Sequence, residues 1–521
     1  MNAGDAGSQA IARDGRHSTV TSSKGDRAST ESYSMLIGGA WRESSDGATF
    51  ESINPVTGLA WATAPRATTQ DVDDAVAAAK EAFEDGPWRE STPVQRAGLL
   101  RRLGDLIAAN ADELARTQVQ ENGKLMREVR DQAKALANNC YFYAGVAETP
   151  IGETLASSVP NMHVFTVREP IGVVAAINPW NSPLSQLIAK LAPAVAAGCT
   201  LVAKPSEVTP ISTLILARLA QEAGFPDGVV NVVTGEGPTG EALVGHPDVA
   251  KIAFTGSTAV GKRIAAVAAE RLARVSLELG GKSPNIVFPD ADLADAVNGV
   301  MAGIFAATGQ TCMAGSRVLV HEEIYDAFSR ALTERAAQIE VGDPLDPSSE
   351  MGTVASRAQY DKVLAYIDIA KSDGAHLATG GRRPNDPALA DGLFVEPTIF
   401  TEVTNDMRIA REEVFGPVAA LIRFRDEDDA VRIANDTSFG LAAGVWTRDV
   451  ARAHRMIRRL RAGTVWINNY RKISYVAPFG GFAESGIGRE NGVHAIEEYT
   501  EVKTAWITTG GTIKDPFNPR A

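Results

Sequence analysis

The chain is poor in cysteine. Its 521 residues contain three, Cys140, Cys199 and Cys312, an odd number without paired spacing. That excludes a disulfide framework and suits a reducing compartment, so the protein is expected in the cytoplasm. No apolar run approaches the roughly eighteen residues of a membrane-spanning helix, so no membrane partner is expected. Basic charge is also in deficit: 51 Lys and Arg stand against 64 Asp and Glu, a net charge of −13. Such a chain repels phosphate backbones, which argues against nucleic acid and for small-molecule partners. There is no internal repeat, and no low-complexity tract beyond residues 1–34. Those residues are rich in Ser, Thr, Gly and Asp and lack the apolar core of a signal peptide, so a disordered tail is expected there.

What is present is 44% hydrophobic and 22% charged, a composition and length for two or three globular domains. "MLIGGAWRES" alternates around paired glycines and predicts a hairpin. "TQDVDDAVAAAKEAFED" and "PVQRAGLLRRLGDLIAANADELARTQVQENG" space apolar residues by three and four, predicting two amphipathic helical stretches that cover a sheet. From Ile171, short runs such as "IGVVAAI", "TLVAKP", "VVNVVTG", "KIAFTG" and "RVSLELGG" alternate with helical ones. Apolar on both faces, they predict a parallel sheet wrapped by helices, with ligands at the strands' carboxyl ends. A second α/β series begins near Asn285.

Several residues at those strand ends carry chemistry. In "FTGSTAVGKRI", Gly256, Ser257 and Gly261 make a helix N-terminus suited to a pyrophosphate, or a plain turn capped by Ser257. Lys204 and Glu207 follow the second strand, where an acid reads the adenosine ribose hydroxyls and repels a 2′-phosphate. That favours NAD over NADP, the alternative being a surface ion pair. Glu278 ends an apolar strand, where a desolvated carboxylate makes a general base near neutral pH, or a salt-bridged core residue. Cys140 and Cys199 suit small buried hydrophobes. Cys312, among small polar neighbours in "TGQTCMAGSR", is expected to have its thiol pKa lowered by backbone N–H groups. No second Cys or His lies at ligand spacing from it, so no metal is expected. Asn181 in "INPWNSP" could donate to an oxyanion or cap the following helix.

Together and in this order, "INPWNSP", "VAKPSEVTP", "FTGSTAVG", "LELGGKSPNIV", "GQTCMAGSR", "EEVFGPV" and "PFGGFAESGIGRENG" resemble signatures of the aldehyde dehydrogenase superfamily. The likeness runs from about Leu36 to Thr508, and Glu278 precedes Cys312 by the family's 34 positions. The resemblance implies a Rossmann-type NAD-binding domain over 35–150 and 171–281, and an α/β catalytic domain over 282–480. It also implies a small β arm, with the C-terminal segment, over 151–170 and 481–521, which pairs subunits into a homodimer or homotetramer.

It implies that Cys312 attacks an aldehyde, that Asn181 and the Cys312 N–H hold the oxyanion, that Glu278 activates the hydrolytic water, and that Lys190 passes its proton on. Ile177, Trp180, Lys204, Glu207, Gly256, Ser257, Gly261, Leu279, Glu413 and Phe415 would surround NAD. A CoA-acylating enzyme and a catalytically silent dinucleotide-binding protein are the alternatives. Two departures stand out. "SPLSQLIAK" puts Ser182, Ser185, Gln186 and Ala189 along the pocket, which points to a roomy, partly polar site. "NNYRKISYVAPFGG" adds Arg471 and Lys472 at the substrate entrance, either as solvated loop charges or as attractors of a carboxylated or oxygenated aldehyde.

Overall fold

The computed structural model describes residues 16–18, 30–149, 152–513 and 516–518. The parallel strands Val173–Ile177, Thr200–Lys204, Val230–Val232, Val249–Thr255 and Arg274–Glu278 form the centre of an eight-stranded sheet. Val173–Ile177 and Thr200–Lys204 are buried at every position, as strands covered by helices on both faces must be. Strand Val173–Ile177 has its successor on one side and Val249–Thr255 on the other. The strand order reverses there, and that reversal opens a crevice beyond its carboxyl end.

The predicted hairpin forms from Met35–Ile37 and Ala40–Arg42 and extends this sheet through Leu36 and Val232. On the opposite edge Gly486–Ile487 pairs antiparallel with Arg274–Glu278. The segment after 480, expected with the arm, therefore first returns to the cofactor-side sheet.

Helix Thr69–Glu84 opens with a capping box between Thr68 and Asp71, and helix Pro93–Ala109 with one between Thr92 and Gln95. Each box satisfies N–H groups that the helix leaves orphaned. The second predicted helical stretch is two helices, because Asn110 ends Pro93–Ala109 and opens Ala111–Asn122. Gly123, left-handed at φ 69°, then ends helix Ala111–Asn122, and helix Met126–Ala147 follows.

Seven strands make the second sheet, in the order His376–Thr379, Thr398–Thr401, Val418–Phe424, Arg317–His321, Pro284–Val287, Ala442–Trp446 and Thr464–Ile467. All but the first are parallel. A third sheet joins Met162–Pro170 to Thr500–Thr508 antiparallel along their whole length, with Thr154–Leu155 beside them. Val502, Trp506 and Ile507 on it are exposed.

Of the first 34 residues, expected as a disordered tail, Arg16–Ser18 and Glu31–Tyr33 are strands that pair with each other, and Glu31–Tyr33 runs parallel to Ala60–Pro65. Ladder hydrogen bonds use the backbone and need no apolar run, which is why composition did not reveal them. Residues 1–15 and 19–29 lie outside the described residues. No helix among the described residues is long and apolar enough to cross a membrane.

Candidate active site

The site lies where the two large sheets meet. Strand Arg274–Glu278 ends the first sheet at Glu278, and the chain crosses to Pro284–Val287 of the second through Gly280 and Gly281. A Cβ on Gly280 would stand 2.6 Å from Glu413 Oε2, and one on Gly281 would stand 2.5 Å from the Cys312 carbonyl oxygen. Only glycine lets these groups approach so closely. The Gly281 N–H uses the space to donate to Glu413 Oε1 at 2.9 Å.

Cys312 follows a turn at Ala306–Gly309 in which Ala307, Thr308 and Gly309 are successively left-handed, at φ 53°, 55° and 68°. For the two non-glycine residues this costs about 1–3 kcal/mol each, so the surroundings must enforce it. The Ala307 N–H donates to Glu128 Oε1 at 3.1 Å. Gln310 donates through Nε2 to the Thr353 carbonyl and accepts at Oε1 from the Ala355 N–H. Its own carbonyl accepts from Asn181 Nδ2 at 2.9 Å. Asn181 thus lies against the segment that carries Cys312. One amide hydrogen is used there and one remains for an oxyanion. The helix-cap alternative falls away, since Ser182 is the N-cap of helix Pro183–Ala197 and makes no side-chain capping bond.

Half-buried Cys312 does not have the lowered pKa expected from its sequence. Burial first, then the Glu278 and Glu413 carboxylates, push the thiol up to about 12, and the Met313 and Cys312 N–H groups offset only part of this. Cys140 and Cys199 are fully buried, as small hydrophobes should be, and Cys199 Sγ donates to the Tyr499 carbonyl.

Glu278 is 5% exposed, and no hydrogen bond from the described residues reaches its Oε2. Burial raises its pKa well above the carboxylate range, and Glu490 raises it further; Lys190 and Arg489 oppose them. Lys190, fully buried, pairs with Glu490 at 2.7 Å and donates to Thr255 Oγ1 at 2.7 Å. Thr255 stands beside Glu278 in the sheet register.

At the crevice, Ile177 and Lys204 face each other across the register. The rings of Trp180 and Phe415 meet edge to face, with centroids 5.3 Å apart. Both amide atoms of buried Asn178 lack hydrogen-bond partners among the described residues. Ser257 caps helix Thr258–Ala269 by accepting from the Val260 N–H, and a Cβ on Gly261 would overlap Leu279, so this glycine serves close packing of helix on strand. Lys204 Nζ donates to the Pro205 carbonyl at 3.0 Å. Glu207 is exposed and accepts from Ser206 Oγ. The alternative reading, a surface ion pair between Lys204 and Glu207, is absent among the described residues.

Four residues escaped the sequence reading. Gln310 and Glu128 strap the turn before Cys312. Glu490 pairs with Lys190. Lys124, fully buried, donates to Ser182 Oγ at 3.0 Å, and burial lowers its pKa to about 8. The clues were that Gln310 sits inside "GQTCMAGSR" and Glu490 inside "PFGGFAESGIGRENG". Nothing local ties Lys124 or Glu128 to Cys312.

Known proteins are similar to this chain in sequence and fold. An aldehyde dehydrogenase of Emericella nidulans is 46% identical over 481 residues, covering 92% of this chain and 96% of that protein. A betaine aldehyde dehydrogenase of Brucella anthropi is 46% identical over 479 residues, covering 92% and 97%. Among solved structures, the NAD+ complex of the Bacillus cereus aldehyde dehydrogenase superposes with a TM-score of 0.89 at 45% identity, covering 92% of this chain and 96% of that one. Betaine aldehyde dehydrogenase of Staphylococcus aureus in complex with NAD+ gives 0.91 at 40% identity, covering 92% and 95%. The sequence profile of the aldehyde dehydrogenase family matches residues 41–505, and the chain belongs to that family, whose members oxidise aldehydes.

Proposed function

We propose that the protein oxidises an aldehyde to the carboxylic acid, with NAD as the hydride acceptor and Cys312 as the nucleophile. The observation that carries this is the convergence on one half-buried thiol of an amide with a spare donor, Asn181, and a buried carboxylate with an unpartnered oxygen, Glu278.

The half-buried Cys312 thiol gives up its proton to solvent, Sγ bonds to the carbonyl carbon, and the carbonyl π pair moves to oxygen. Asn181 Nδ2 and the Cys312 N–H hold that oxyanion, a contribution on the order of 3 kcal/mol for one such donor. Bound in the crevice, NAD would accept the hydride that leaves the thiohemiacetal carbon as the oxyanion re-forms the carbonyl, which gives the thioester. Glu278 then takes a proton from water, whose oxygen bonds to the thioester carbon as the C–S bond breaks. Lys190, through Thr255 and Glu490, gives that proton a route away.

The crevice fits the cofactor. Asn178 offers an unsatisfied amide, Trp180 and Phe415 a paired aromatic wall, and Glu413, fixed by the Gly281 N–H, an acceptor for a ribose hydroxyl. Ile177 and Leu279 would supply apolar walls, and the capped turn at Gly256 and Ser257 a seat for the pyrophosphate. Lys204 and Glu207 would meet the adenosine ribose. NAD+ complexes of the B. cereus and S. aureus relatives support the choice of cofactor. We further propose the 35–150 and 171–281 regions as the cofactor domain, 282–480 as the catalytic domain, and the sheet of Met162–Pro170 and Thr500–Thr508 as the arm that pairs subunits.

The test is NADH formation that depends on added aldehyde, with no CoA present and the carboxylic acid as product. A requirement for CoA would replace this reading with the acylating one, for which a water-activating Glu278 has no use.

A further inference from the structure

Charges of both signs reach Cys312 from other segments. Glu278 and Glu413 are the carboxylates that press on the thiol. Two cations also approach it: Lys124 donates to Ser182 Oγ, next to Asn181, and Arg471 follows Tyr470, whose hydroxyl donates to the Met313 carbonyl at 2.9 Å. Glu128, which accepts from the Ala307 N–H, acts on both cations, so two positive charges share one carboxylate there.

The surplus is held in place. Arg471 follows strand Thr464–Ile467 in a loop that Trp466 pins by donating to the Lys472 carbonyl at 2.9 Å. Tyr475 of the same loop packs against Phe142 of helix Met126–Ala147, with ring centroids 5.5 Å apart. Arg471 itself is left-handed, at φ 65°, a conformation a non-glycine residue adopts only when its surroundings impose it. Its guanidinium makes one hydrogen bond among the described residues, to the Ala302 carbonyl at 3.1 Å, and no ion pair there. The nearby Glu128 spends Oε1 on the Ala307 N–H and does not pair with Arg471. Lys124 uses one of its three donors, on Ser182. A half-buried guanidinium with most of its donors free of protein partners is matched in geometry by a bidentate carboxylate.

We infer that the aldehyde this enzyme takes carries a carboxylate at its far end, which Arg471 binds while Lys124 adds to the field, so that the substrate class is the linear oxo-acids. The inference rests on the proposed aldehyde oxidation and adds to it the specificity-determining residue. It sets this protein apart from relatives named for betaine aldehyde, whose fixed positive charge the Arg471 side would repel.

Three aldehydes of equal chain length decide it, ending in a carboxylate, in its methyl ester, or in trimethylammonium. With the full-length enzyme and saturating NAD, kcat/KM should fall in that order, by about tenfold or more between the first two, the scale of one charge-assisted hydrogen-bond pair. Arg471→Met should collapse the carboxylate-to-ester ratio, chiefly through KM of the carboxylated aldehyde, and Arg471→Lys should restore part of it. A ratio of one or less in the unmodified enzyme, or a ratio that Arg471→Met leaves alone, overturns the inference while leaving aldehyde oxidation standing.

If Arg471→Met does not fold, protection carries the same test on the unmodified protein, without turnover. The linear dicarboxylate should shield Cys312 from iodoacetamide at lower concentration than its monomethyl ester. Equal protection overturns the inference. Failure to oxidise any of the three aldehydes counts against the proposed function instead, and the protection experiment still decides the role of Arg471.

Discussion

Lys190 Nζ and Glu490 Oε1 lie 2.7 Å apart inside the protein, and Glu278 responds to both members of the pair, its pKa raised by Glu490 and lowered by Lys190. Glu490→Gln leaves Lys190 buried without its partner, which should cost roughly 3–5 kcal/mol of stability. It also removes the second cause of the raised Glu278 pKa and keeps the opposing one. A general base works as the carboxylate, so turnover is lost as pH falls through the folded pKa, and in the variant that acid limb should move to lower pH. A pH profile of kcat checks this; a limb that stays in place removes Glu490 from the electrostatics of the base.

Glu278→Gln separates acylation from hydrolysis. Rapid mixing with saturating NAD and aldehyde should give a burst of NADH near one equivalent per competent site, then turnover slowed by about a hundredfold to ten-thousandfold, the range of a general base. A smaller, slower burst would show that Glu278 also helps deprotonate Cys312. Unchanged steady turnover would make it a buried carboxylate outside the chemistry.

Cys312→Ala should abolish oxidation and leave NAD affinity, read by fluorescence titration, nearly unchanged. Cys140→Ala and Cys199→Ala sit in packed interior and should cost about 1–3 kcal/mol or less in stability with activity retained. A folded Cys199→Ala enzyme without activity would show that the nucleophile has been misassigned.

Glu207 is exposed at the end of strand Thr200–Lys204, oriented by Ser206. The unmodified enzyme should prefer NAD to NADP in kcat/KM, and Glu207→Gln should narrow the gap by removing the charge that repels a 2′-phosphate. Equal use of the two cofactors before any substitution counts against Glu207 as the reader of the ribose.

Lys282 is 2% exposed, and burial lowers its pKa from 10.5 to about 7, with Arg317 adding to the shift. Between those values the unfolded chain holds more protons than the folded one, so this residue makes stability rise with pH. Lys282→Met should therefore melt higher than the unmodified protein near pH 6, and the difference should shrink as pH approaches 10. A pH-independent difference in melting temperature would mean that Lys282 stays charged in the fold.

Much of this protein is written locally. Apolar runs at strand spacing marked the parallel sheet, the Thr68 and Thr92 boxes open their helices as capping residues do, and the ordered motifs around Asn181, Glu278 and Cys312 carried the family. These signals survive in a single sequence because they depend on period, side-chain type and neighbours a few positions away. The split at Asn110 was less legible, since apolar spacing continues across it and only the backbone angles record the break.

Charge environments were decided elsewhere. Lys190 and Glu490 are 300 positions apart in the chain, and each alone reads as a helix residue or a loop acid. The expectation that backbone N–H groups would activate Cys312 considered its own segment. The fold adds Glu278 and Glu413 from two other segments, and desolvation then outweighs the local donors. Lys124, Glu128 and Arg471 become one site only when a helix start, a strained turn and a pinned loop converge. A charge's energy depends on how much water its neighbours exclude and on which other charges they bring close. Those neighbours are set by the packing of distant segments, so the sequence by itself determined which groups are present, and tertiary structure decided what each of them can do.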